Sequence, residues 1–120
     1  MTMLALLSLL LAVTVPAGDK ILFKADVKSS QVTLRLYFAP SPDNVWYCSQ
    51  FKSLAEDWTP RHCGPVAAST DTHVKEMTDV WPRMPTGAYD VTVELFRDHW
   101  TKAGQQVTEF DAKALRIVVP

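Results

Sequence analysis

Ser69, Asp71 and His73 alternate through "STDTH", a hydroxyl, a carboxylate and an imidazole of the kinds that acyl-transfer sites combine. On a strand the three would share a face, but neighbours two residues apart stand about 7 Å from one another. A nucleophile and its base need contact at about 3 Å, so the stretch is expected to be a polar solvent face. His62, Cys63, His73 and His99 are the available nitrogen and sulfur ligands, and no pair has the short spacing that holds zinc. Glu56, Asp57, Glu76, Asp79 and Glu94 form no convincing acid–base pair. The glycines at 18, 64, 87 and 104 are isolated, so no phosphate-cradling loop exists. The expectation is a non-enzymatic protein with no catalytic residue, no metal and no cofactor.

Binding chemistry is better represented, by four tryptophans. Trp46 lies in strand-like "VWYCSQF" and is expected in the core. Trp58, Trp81 and Trp100 fall in or beside loops, where an indole buries much area with little side-chain entropy to lose. The same residues can also cap the open end of a small sandwich.

The elements that must position them are strands. "KILFKADVK" sets Ile21, Phe23, Ala25 and Val27 against Leu22, Lys24, Asp26 and Lys28, and "QVTLRLYF" sets Val32, Leu34, Leu36 and Phe38 on one face. Ser29-Ser30 suits a tight turn between them, and "APSPDN" breaks the pattern after them. Ser53 followed by Glu56 has capping-box form and predicts one helical turn over Leu54–Trp58, ended before Pro60. "VAAST" is a possible strand, "THVKEMTDV" an edge strand, and "WPRMPTG" an extended connection. "AYDVTVELF" is predicted to bury Tyr89, Val91, Val93 and Leu95. After the loop "RDHWTKAGQQ", the imperfect phase of "VTEFDAKALRIVV" predicts a bulge near Asp111–Lys113. Six clear strands, with a seventh possible, predict an all-β, antiparallel two-sheet sandwich of immunoglobulin-like type. In such an arrangement the Trp58 and Trp81 loops share the end of the Ser29-Ser30 turn, and the Trp100 loop lies opposite, beside "APSPDN".

Ahead of the strands, "MTMLALLSLLLAVTVPAGDK" has a short apolar run, Met3–Val15, and small residues at Val15 and Ala17. This predicts a signal peptide over residues 1–17, cut after Ala17, and a secreted domain over 18–120. The run is too short for a membrane span and no second one follows, so no transmembrane anchor is expected. Basic and acidic residues balance, 12 against 13, with no basic run, which disfavours nucleic acid as a partner. In an oxidising compartment Cys48 and Cys63 are most simply a disulfide closing about 15 residues, worth roughly 3 kcal/mol. The only asparagine, Asn44, is followed by Val45-Trp46, so no N-glycosylation sequon is present.

Two families share these features. "Met84-Pro85-Thr86-Gly87-Ala88-Tyr89" resembles the tyrosine corner of immunoglobulin-like and fibronectin type III-like domains, where a buried tyrosine bonds nearby backbone. Trp81, "Gly87-Ala88-Tyr89", "DVTVELF", Gly104 and the final strand are similar to the later half of the ML lipid-recognition family, which includes ganglioside-activator proteins. "VTLRLYFAPSPDNVWYC" resembles that family's strand–loop–strand ending in cysteine. The ML resemblance implies an apolar or lipid ligand held between the sheets, lined by alternating residues of Val32–Phe38 and Tyr89–Leu95, Phe38 and Tyr89 among them, with Trp58 and Trp81 at the entrance. Trp100 would belong to a second site. The immunoglobulin-like resemblance implies instead a module that recognises an extracellular protein through its loops, "APSPDN" and "RDHWTKAGQQ".

Overall fold

The computed structural model describes residue 15 and residues 18–42, 44–68, 74–96 and 109–120. These contain seven strands and no helix: β1 Ile21–Lys28, β2 Gln31–Phe38, β3 Val45–Ser53, β4 Arg61–Val66, β5 Lys75–Trp81, β6 Gly87–Phe96 and β7 Glu109–Val119. No helix among the described residues is long and apolar enough to cross a membrane. Apart from Val15, the expected leader lies outside the described residues, as do Ser69, Asp71, His73, His99 and Trp100 with its loop.

All pairings are antiparallel, in a three-stranded sheet ordered β1-β2-β5 and a four-stranded sheet ordered β4-β3-β6-β7. The two sheets pack as a β-sandwich. Relative to the constant-type immunoglobulin order, the fourth strand sits beside the third rather than beside the fifth. Ser29-Ser30 is a two-residue hairpin loop, with Lys28 opposite Gln31 and a positive φ of 55° at Ser29 alone. That is the pattern of a type II′ turn, whose twist matches the strands it joins.

The apolar phases read from β1, β2 and β6 do face inward. Ile21, Val32, Leu34, Leu36, Val91 and Val93 are all 0 % exposed. Each contributes roughly 1.5–3 kcal/mol by leaving water. β5 is an edge strand, as its mixed composition predicts.

Three expectations need correction. Leu54–Trp58 is not helical. Ser53 Oγ does accept from the Glu56 and Ala55 amides, at 3.1 and 3.3 Å. However, Ser53 N donates to the Trp58 carbonyl and Phe51 N to the Pro60 carbonyl, so the chain turns straight back into β4. Five residues are too few to offset helix nucleation against that ladder. The seventh strand is Arg61–Val66, not "VAAST", and only Val66 is common to both. The bulge predicted near Asp111–Lys113 is present, between Glu109 and Asp111 and opposite Leu95/Phe96.

Finally, the two tryptophans exchange roles. Trp46 is half-buried on the outer face of β3, whereas Trp81 ends β5 in the core at 5 % exposure. β3 carries large residues in both phases, and Val45, Tyr47 and Phe51 take the inside. Trp81 is drawn inward because β2–β5 pairing extends to Val32 opposite Trp81.

The sandwich is tied along both sides. At one, Asp111 Oδ2 accepts the backbone N–H groups of Lys20 and Ile21 at 2.7 and 3.1 Å, and Lys113 pairs with Asp19 at 3.1 Å. At the other, His62 on β4 meets Asp79 on β5.

Candidate functional site

The residues before β6 form a pinned corner. Tyr89 Oη donates to the Pro85 carbonyl at 2.6 Å, and Met84 N donates to the Ser30 carbonyl at 2.7 Å. Gly87 has φ of +150°, a conformation that side-chain-bearing residues rarely adopt, so glycine is required there by the backbone. The β3–β4 loop then folds over this corner. Leu54 N donates to the Ala88 carbonyl at 3.1 Å, and Trp58 meets Tyr89 edge-on with ring centroids 6.1 Å apart.

Between loop and corner lies an open cleft of about 380 Å³, walled by Trp58 and Tyr89, floored by Pro85–Gly87 and rimmed by Ser53 and Ala55–Asp57. Trp58 remains 38 % exposed there, against 5 % for Trp81. Burial, and then the nearby Glu56 charge, raise the Tyr89 hydroxyl above its usual pKa.

A second polar cluster lies inside the sandwich. Asp79 is buried at 7 % exposure among apolar neighbours, and its carboxylate collects three partners. Ser49 Oγ donates to Oδ2, Trp81 Nε1 donates to Oδ2 at 3.0 Å, and His62 Nδ1 lies 2.8 Å from Oδ1. The His62 ring stacks on Trp81 at 3.6 Å with its plane tilted only 13°.

A serine, an aspartate and a histidine are thus in contact, but in the wrong order for nucleophilic catalysis. In a hydrolytic triad the imidazole stands between hydroxyl and carboxylate. Here the carboxylate is central, and Ser49 is 0 % exposed and beyond a substrate's reach. The cluster joins β5 of one sheet to β3 and β4 of the other. Among the described residues no group of three or more His, Cys, Asp or Glu could hold a metal ion.

Tyr47 borders this cluster, with its ring against Gly64, where an added Cβ would stand 3.2 Å from Tyr47 Cε1. Burial, then the Asp79 charge, raise its hydroxyl pKa above the ordinary 10.0. A raised folded-state value means that the native state keeps a proton which the unfolded chain loses. Stability is therefore full below about pH 10 and falls as pH climbs from there through the folded value. Tyr47→Phe is expected to flatten this alkaline loss in urea-unfolding curves taken between about pH 8 and 11. An unchanged slope would exclude Tyr47 as its source.

Of the residues predicted to bind ligand, Trp58 and Tyr89 line the cleft, and among the other described ones Trp81 and Phe38 do not; Trp100 lies outside the described residues. Trp81 lies deeper, reached through Phe51, whose ring centroid is 5.9 Å from that of Tyr89 and 4.4 Å from that of Trp81. Phe38 is a core residue packed on Tyr47 at 6.0 Å. It sits six positions along β2 from the Trp81 level, about 20 Å away. Cys48 and Cys63 are directly opposite on β3 and β4 and joined as a disulfide.

Sequence reasoning passed over Ser49 and treated His62 and Asp79 as unpaired. The available signal was an acid in the apolar phase of β5, between Met77 and Trp81, and a serine in that of β3, between Tyr47 and Phe51. Comparison of the chain with protein-family models, curated proteins and solved structures finds no match.

Proposed function

We propose that the protein is a secreted recognition module that engages a protein partner with the Trp58–Tyr89 end of its sandwich. The observation that carries this reading is Trp58 itself. A tryptophan left 38 % exposed, yet held edge-on against a pinned tyrosine, is a preorganised contact that loses little entropy on binding. The disulfide fits an oxidising compartment.

A lipid carrier of the ML kind draws less support. Its ligand would lie between the sheets, yet Val32, Leu34, Leu36, Phe51, Val91 and Val93 are each 0 % exposed. A void that admits water would give its lining measurable exposure, so these residues border none. Phe51 packs on both Trp81 and Tyr89, as a residue of a filled core does.

The test is selection of a phage-displayed random peptide library on the purified protein, with Trp58→Ala as counter-target. Enriched peptides are expected to bind the variant at least about tenfold more weakly. Organic extraction followed by mass spectrometry should recover no stoichiometric lipid. Stoichiometric lipid, or peptides indifferent to Trp58, would overturn the proposal.

A further inference from the structure

We infer that the Trp58 cleft selects a basic side chain, an arginine guanidinium presented by the protein partner. This rests on the recognition reading above and adds the chemistry of the contact. The lining holds Trp58, Tyr89, Glu56 and Asp57 and, among the described residues, no basic side chain. Among the described residues neither carboxylate is engaged in an ion pair.

Both carboxylates sit on a structured turn, because Ser53 Oγ accepts the Ala55 and Glu56 amides. The Glu56 charge, after burial, helps to hold the proton on the Tyr89 hydroxyl, so the two residues lie close in the site. A cation in the cleft meets Trp58 and the two carboxylates together. Indole is the best aromatic partner for a cation, and the flat guanidinium both stacks on it and forks to a carboxylate. An anion would meet repulsion from both carboxylates. A volume of about 380 Å³ lies at the lower end of the range for ligand pockets and leaves room for an inserted arginine side chain.

The experiment is a ¹H–¹⁵N titration of the purified protein with N-acetyl-arginine amide and with N-acetyl-citrulline amide, which has similar shape and no charge. The Trp58 indole and the Ala55 and Gly87 amides are expected to shift saturably with the arginine compound. The citrulline compound should bind at least about tenfold more weakly. The Glu56→Gln/Asp57→Asn double variant changes only exposed groups, and should lower arginine binding to the citrulline level.

Equal response to both compounds, or an unaltered response in the double variant, overturns the inference. The two proposals fail separately. Library peptides that need Trp58 but tolerate loss of every arginine would sink the cation inference and leave the recognition reading standing. Charge-dependent arginine binding without any Trp58-dependent peptide would sink the recognition reading, and with it the protein partner as the source of the arginine, and leave only the selectivity of the cleft for a guanidinium.

Discussion

Asp79→Ala is expected to lower the stability of the protein by about 3 kcal/mol. Asp79 is the single acceptor that joins Ser49, Trp81 and His62, and it does so from an inward position of β5. Removing it leaves the Ser49 hydroxyl, 0 % exposed, and the Trp81 indole N–H, on a 5 % exposed residue, with no acceptor. Each such orphan costs roughly 1–3 kcal/mol. The His62 side chain is 42 % exposed and can turn to water, which keeps the total at the lower end of the range for a broken buried pair.

In a domain of this size the melting temperature should fall by roughly 12–20 °C. Asp79→Asn, which keeps one acceptor but turns an amide N–H₂ toward donors, should lose less. Ser49→Ala alone should cost about 1 kcal/mol, and almost nothing once Asp79 is already alanine, because the orphaned donor leaves with it. Urea unfolding of the four proteins of that cycle measures the coupling. An Asp79→Ala variant within about 1 kcal/mol of the parent would show that the cluster does not hold the sheets together.

The parts of this fold legible in the sequence are those where one phase of a strand is apolar and the other is not. β1, β2 and β6 have that property, and the corner at Tyr89 has its own short pattern, a turn glycine two residues before a buried tyrosine. β3 does not have it. Trp46 and Cys48 compete with Tyr47 and Phe51 for the interior, and the choice is made by strands that pair with β3 from elsewhere in the chain.

β4 is harder still, since a glycine and a proline lie in its six residues, a composition tolerated because it is an edge strand. The cleft was legible only in its components. Trp58 and Tyr89 are brought together by the Leu54–Ala88 hydrogen bond, a contact between distant segments with no local signature. Asp79 was visible as a charge in an apolar phase, but its partners come from two strands of the other sheet, whose placement no spacing reveals.

Loss of the Cys48–Cys63 bond, by reduction or by the double alanine variant, is expected to destabilise the protein by about 3 kcal/mol. The bond closes a segment of sequence separation 15, and much of that value comes from the freedom this segment regains when the chain unfolds. The same segment carries Ser49 and His62 of the interior cluster, and Trp58 of the cleft. Among the described residues β4 is an edge strand whose one ladder is to β3, supplemented by His62 reaching Asp79. Without the disulfide, local opening of Arg61–Val66 becomes the easiest excursion of the sandwich. Amide exchange there should accelerate ahead of β6, which has a strand on each side and the Tyr89 hydroxyl at its start. Uniform acceleration across both sheets would mean that the bond acts on the unfolded chain alone. A stability change below about 1 kcal/mol would mean that pairing with β3 already fixes β4, and that the bond is dispensable to the fold.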